Sequence, residues 1–150
     1  MSQDRPHGDA ARKAWDTRRQ RVDRPPIDTS TPEGRILRQA QRAASAAIGR
    51  AHKTGLPCDE DWMMDATSRI IEQDFRCAMT GLKFDVDFRT EGAGGTHLAP
   101  SPDQIEAGKG YVRNNVRWVL WAVNRAKGEM SEDLFIKICR GVVKRCDGKA

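Results

Sequence analysis

The run from Pro100 to Gly128, PSPDQIEAGKGYVRNNVRWVLWAVNRAKG, constrains this chain more than any other stretch. Its first short segment ends in an acidic pair, Asp103 and Glu106. A glycine-containing turn follows, Ala107-Gly108-Lys109-Gly110. A second segment, Val116-Arg117-Trp118-Val119, passes directly into a helical pattern carrying Asn124. Strand, turn, strand, helix is the plainest reading. Such a unit sets a carboxylate from the first strand beside an amide from the helix, and that pair can hold a divalent cation through oxygen ligands.

The rest of the chain reads as helix around this unit. Thr31-Pro32-Glu33 is a helix start, with Thr31 as N-cap and proline in the first position. The pattern runs to about Thr54 and stops at Gly55-Leu56-Pro57. Ile36, Leu37, Ala40, Ala43, Ala44, Ala47 and Ile48 form a narrow apolar stripe. Arg35, Arg38, Arg42, Arg50 and Lys53 lie largely off it, either as a solvated face or as a contact surface for a nucleic-acid backbone. The small side chains of the stripe also suit close packing between two subunits, hence a homodimer through the N-terminal helices. A second helix is expected from about Glu60 to Phe75, with Trp62, Met63, Ala66, Ile70 and Ile71 toward the core. A last amphipathic helix is expected from Ser131 to about Arg145, burying Leu134, Phe135, Ile138, Val142 and Val143. The fold class is therefore α+β, mainly α: two N-terminal helices, a small ββα centre and one C-terminal helix.

Residues 1–30 carry seven Arg or Lys against five Asp and are punctuated by prolines, which predicts a mixed-charge tail. A short helix near Ala10–Val22 that orders on DNA is the alternative. The organisation expected is this tail, an Ala/Arg-rich helix over 31–57, and a domain over 58–150. Thr90 to Thr96, with three glycines, reads as a loop. Asp85 and Asp87 could share one face of a strand, and they need no function. A net charge of +5 and a pI near 9.3 favour a polyanionic partner. No segment approaches eighteen uninterrupted apolar residues, so no membrane span is expected. The N-terminus lacks the apolar core of a signal peptide. The four cysteines, Cys58, Cys77, Cys139 and Cys146, form no C-x-x-C pair. The usual structural-zinc spacing is thus missing, and reduced thiols in a cytoplasmic setting are expected.

Six short motifs, in order, carry a resemblance. They are Cys77-Ala78-Met79-Thr80-Gly81, Phe84, Ser101-Pro102-Asp103-Gln104-Ile105, Lys109-Gly110-Tyr111, Asn115-Val116 and Asn124-Arg125-Ala126-Lys127-Gly128. Across about Asp61 to Cys139 the chain resembles the HNH endonucleases, also called ββα-metal or His-Me finger nucleases. It is most similar to a zinc-lacking phage and prophage type related to endonuclease VII-like enzymes. The resemblance implies a metal-dependent endonuclease that hydrolyses DNA phosphodiesters with Mg²⁺ or Mn²⁺, in a bacterial host or phage-infected cell. Zinc-bearing relatives carry a second cysteine at the position of Thr80 and another cysteine pair at the positions of Leu120 and Val123. The residues here imply a hydrophobic knuckle and no structural zinc.

By the same resemblance, Asp103 stands at the first metal-ligand position and Asn124 at the last. The residue after the metal aspartate is usually a histidine acting as general base. Here it is Gln104, an amide that cannot take a proton near neutral pH. Glu106 and His97 are the two candidate replacements; Glu106 is favoured, because its position assumes no regular strand across the prolines, and it is also a candidate metal ligand. His97 precedes Asp103 by six residues across Pro100 and Pro102, where a regular strand is not expected. Unassisted metal-bound water is the third option. Lys109, Arg113, Arg117, Arg125 and Lys127 form a run of cations without an acid between Ala107 and Gly128, which predicts sequence-independent phosphate contacts. The alternative function is a non-catalytic DNA-binding or phage-assembly protein on a degenerate HNH scaffold, and Gln104 is its main support.

Overall fold

Thr31 opens the first helix by accepting a hydrogen bond from the Gly34 N–H at 3.1 Å. This helix, α1, spans Pro32–Thr54. Gly55 closes it in the left-handed conformation, and the Gly55 and Leu56 N–H groups both donate to the Ala51 carbonyl. These bounds match the sequence expectation. The computed structural model describes residues 26–88 and 96–148. The expected Ala10–Val22 helix, nearly all of the 1–30 tail and nearly all of the Thr90–Thr96 loop lie outside the described residues.

The helix expected over Glu60 to Phe75 is two helices, α2 (Glu60–Met64) and α3 (Ala66–Glu72). Apolar periodicity continues across the break, but Asp65 leaves the helical conformation and accepts a hydrogen bond from the Ser68 hydroxyl at 2.8 Å. Such local side-chain bonding competes with helix continuation. Asp74 and Phe75 then turn the chain through positive φ. Ile70 is fully buried, whereas Ile71 is exposed.

Two antiparallel strands follow, β1 (Pro100–Gln104) and β2 (Val116–Leu120), with Asp103 opposite Arg117 and Pro102 opposite Trp118. Both prolines sit inside a regular strand after all. A two-stranded sheet leaves each strand with one edge outside the ladder, and that edge tolerates residues lacking an N–H. The outer edge of β2 is closed by Gln73, whose side-chain amide accepts from the Trp118 N–H and donates to the Trp118 carbonyl. Helix α4 (Trp121–Lys127) starts directly at the end of β2, and α5 (Glu132–Asp147) ends the described chain.

The core is one cluster that joins Ile36, Ala40, Ala44, Ala47 and Ile48 of α1 to Met63, Ile70, Phe84, Trp118 and Val119. The alanine stripe of α1 is therefore buried within its own chain, against β1, α2 and α3. Helix α5 departs from expectation. Ser131 caps it, as expected, but none of its residues is buried. Leu134, Ile138, Val142 and Val143 are each about half exposed. Amphipathic spacing specifies a face and not a partner for it. Among the described residues, no helix is long and apolar enough to cross a membrane.

The strand-connecting turn docks on the segment after α1. The Tyr111 N–H donates to the Pro57 carbonyl at 2.8 Å, and the Asp59 N–H donates to the Tyr111 carbonyl at 2.9 Å. Gly110 sits at φ 88°, where an added Cβ would come within 2.2 Å of the Pro57 oxygen. Gly49 lies exposed inside α1 with open space at its Cβ position. Gly110→Ala is expected to cost on the order of 1–3 kcal/mol or more, while Gly49→Ala is expected to gain roughly 0.5–1 kcal/mol. Urea unfolding midpoints of the two variants check the opposite signs.

Candidate active site

The hairpin turn is built from two amides. Gln104 Oε1 accepts hydrogen bonds from the Gly108 N–H at 3.1 Å and the Gly110 N–H at 2.9 Å. Asn115 is buried; its oxygen accepts from the Glu106 N–H, and its nitrogen donates to the Glu106 and Gly110 carbonyls. Gln104 thus has a job that sequence reasoning missed. A carbonyl oxygen has two lone pairs and can take both glycine N–H groups, whereas a neutral imidazole offers one acceptor nitrogen. The amide at this position is a turn clasp.

Asp103 lies next to it, 2% exposed. Arg117 Nε, across the ladder, donates to Asp103 Oδ2 at 3.1 Å. Lys127 Nζ, from the last turn of α4, donates to Asp103 Oδ1 at 3.0 Å and to the Gln104 carbonyl at 2.8 Å. The Lys127 side chain is itself only 1% exposed. The Arg117 guanidinium continues to Glu132 at the start of α5, at 2.8 Å, and to Met79 Sδ. Two of the five expected phosphate contacts, Arg117 and Lys127, are therefore engaged with carboxylates of their own chain, and Lys127 is buried. Of the other three, Lys109 pairs with Glu106 at the surface, Arg113 is exposed, and the Arg125 guanidinium lies 5.3 Å from the Trp121 ring centroid.

Asn124 projects from the middle of α4. Its amide nitrogen donates to Ser101 Oγ at 2.8 Å and to the Pro102 carbonyl at 3.0 Å. Asp103 and Asn124 line one hollow together with Tyr111 and Glu129. Glu106 turns to solvent with Lys109. His97 stands at the first turn of α4: its carbonyl accepts from the Ala122 N–H at 3.0 Å, and its ring meets Trp121 edge-on at 5.6 Å. The sequence-predicted residues thus divide into an Asp103–Asn124 pair, a His97–Trp121 contact and a surface Glu106.

As arranged, the donors do not fit a divalent cation. Mg²⁺ takes hard oxygen ligands from one or two carboxylates, with waters and substrate phosphates completing the shell. Both Asp103 oxygens already accept from cations, and the Lys127 ammonium at Oδ1 repels a second cation there. Asn124 offers only its carbonyl oxygen. Among the described residues, no group of three or more His, Cys, Asp or Glu side chains could hold a metal ion.

Of the four knuckle positions, Thr80 is exposed, its hydroxyl accepting from the Leu82 N–H, and the other three are apolar. Cys77 is buried, Leu120 belongs to the same core cluster, and Val123 packs against that cluster. The Ala78 N–H donates to the Trp118 carbonyl, which ties this turn to β2. Burial pushes the Cys58 thiol above its ordinary range, with Glu60 and Asp59 adding to the effect.

No protein-family model matches the chain, and no curated protein matches it. Its structure is similar to a solved structure of the rare-cutting HNH restriction endonuclease PacI, with a TM-score of 0.50 and 16% sequence identity, over 72% of this chain and 79% of that one. The fold is HNH-like. Within an HNH-like ββα unit, the Asp103–Lys127 pair joins the first strand to the end of the helix. Lys127→Met should destabilise the protein by on the order of 3–5 kcal/mol, because it leaves a buried carboxylate short of one cation. The double variant with Asp103→Asn should cost less than the sum of the single variants. Chemical denaturation of the three variants measures this coupling, and strict additivity would remove the pair from the stability of the centre.

Proposed function

We propose that this protein is an endonuclease that hydrolyses DNA phosphodiesters on an HNH-like scaffold, of the phage-encoded type that its motifs resemble. The observation that carries this reading is the placement of Asp103 and Asn124 in the lining of one hollow, on the strand and helix of the ββα unit. The HNH-like fold and the basic composition support it. Of the two candidate bases, His97 packs against the first turn of α4 through Trp121 and Ala122, and Glu106 is drawn to Lys109 in solvent; neither lines the hollow shared by Asp103 and Asn124. Mg²⁺ or Mn²⁺ remains the proposed cofactor, and its binding to Asp103 would require Lys127 to give up that carboxylate.

One observation favours a second reading. Asp103 is neutralised by two side chains, and Gln104 is committed to the turn. A DNA-binding or phage-assembly protein without cleavage activity would have this arrangement. Nicking of supercoiled plasmid separates the two. The nuclease reading expects nicking in Mg²⁺ or Mn²⁺ that EDTA abolishes. It expects loss of nicking in Asp103→Asn with salt-sensitive DNA binding retained, since phosphate contacts come from Lys and Arg. With His97 as the general base, His97→Ala should slow cleavage on the order of 10²–10⁴-fold. Wild-type protein that binds DNA and nicks nothing in either metal selects the non-catalytic reading.

A further inference from the structure

The hairpin cations are largely held by carboxylates of their own chain, but another set is not. Arg38, Arg42 and Arg50 recur along α1 at steps of four and eight residues, all exposed, with the small Ala46 at the intermediate position. Among the described residues no ion pair involves any of them, or Arg125. Arg35, at the start of the same face, is different: Asp87 binds its guanidinium at 2.7 Å.

These arginines border two adjoining hollows. One, of about 700 Å³, lies between α1 and the ββα unit and is lined by Arg50 and Arg125 together with Ala43, Ala46, Ser101 and Asn124. Among the described residues, no acidic residue lines it. The other, of about 490 Å³, is lined by Arg38 and Arg42 and shares Gln39 and Val86 with the first. Among the described residues its one acid is Asp87, which already carries Arg35. Aromatic rings back two of the guanidiniums. Arg50 lies 6.0 Å from the Tyr111 ring centroid and donates to the Tyr111 hydroxyl at 3.4 Å, and Arg125 lies over Trp121. A planar cation steadied on a ring keeps its donor edge for an anion.

We infer that this trough along α1, and not the hairpin turn, is the track for the DNA backbone. The inference rests on the DNA-acting reading above and assigns its contact surface. At a rise of about 1.5 Å per residue, Arg38 to Arg50 spans roughly 18 Å, which matches about five nucleotides of one strand at about 3.4 Å each. Ala43 and Ala46 let a backbone approach the helix closely, and the trough passes Asn124, on the α4 helix of the candidate active site. Guanidinium groups bind phosphate oxygens through paired N–H donors, a geometry that holds register without reading sequence.

Fluorescence anisotropy of a labelled DNA duplex, titrated with full-length protein over a range of salt concentrations, tests this. The triple variant Arg38→Ala, Arg42→Ala, Arg50→Ala should bind tenfold or more weakly at moderate salt and flatten the slope of log K against log salt by about 2.7, at roughly 0.9 per lost contact. The single variant Arg42→Ala should flatten it by about 0.9. Lys109→Ala with Arg113→Ala should change the slope by less than half as much as the triple variant. Circular dichroism and melting temperature check that these exposed substitutions leave the fold intact. A wild-type slope in both α1 variants, or a larger loss in the hairpin variant, overturns the trough while leaving DNA binding standing. Wild-type protein with no salt-dependent affinity for DNA overturns the DNA reading and the trough with it.

Discussion

A carboxylate removed from water needs cations beside it, and Asp103 has two. Ionised groups taken from water lose several kcal/mol of hydration each, which only close partners with good geometry offset. Arg117 meets one oxygen from the opposing strand, and Lys127 meets the other from the end of α4. This network decides how the helix lies on the hairpin. A helix of seven residues does not hold itself together in water. Here its first N–H groups donate to the Ala99 and His97 carbonyls, and its last turn is fixed by Lys127 on Asp103 and the Gln104 carbonyl. Arg117 extends the same network to Glu132, at the start of the exposed helix α5.

The turn between the strands depends on a parallel arrangement of neutral groups. Gln104 and Asn115 between them take three backbone N–H groups and serve two carbonyls, all within the segment from Gln104 to Asn115. Two glycine N–H groups converge on one Gln104 oxygen, which an imidazole could not reproduce. The residue that looks like a lost general base is therefore better described as a fastening. His97 lies outside the turn, against Trp121 and Ala122 at the start of α4.

Much of the fold was legible because its signals are local. Thr31, Pro32 and Gly55 bound α1, and Ser131 starts α5, since caps act within one turn of backbone. The strand–turn–strand–helix order followed from composition in the same way. What was illegible depended on distant partners. Helical spacing does not say whether Leu134 and Val142 meet a core, and here they do not. Apolar periodicity through Asp65 hid a break made by one aspartate and one serine. Pro100 and Pro102 argued against a regular strand, yet a two-stranded ladder has edges where a missing N–H costs nothing. At the site, Asp103 and Asn124 line one hollow. Lys127 looked like one more surface cation, because nothing in its neighbours along the chain signals burial against a strand that precedes it by more than twenty residues.

The same distinction bears on where a polyanion can be met. A net charge of +5 is a sum, and the sum hides which cations are engaged. The Lys127–Asp103 pair is buried, so exchanging the carboxylate for a phosphate would strand an ion in the interior, at a cost of several kcal/mol. The Lys109–Glu106 pair is more than half exposed on both sides, and such pairs contribute roughly 0–1 kcal/mol. Lys109 can therefore turn to a phosphate at little cost, and Lys127 cannot. Arg117, 17% exposed and shared by two carboxylates, stands with Lys127. On the DNA-acting reading proposed above, the attraction for a polyanion comes from arginines that no acid has claimed. Among the described residues these include Arg38, Arg42 and Arg50 along α1 and Arg125 over Trp121, on the side of the ββα unit where Asn124 lines the hollow against α1, and also Arg113 in the hairpin and Arg140 and Arg145 on α5.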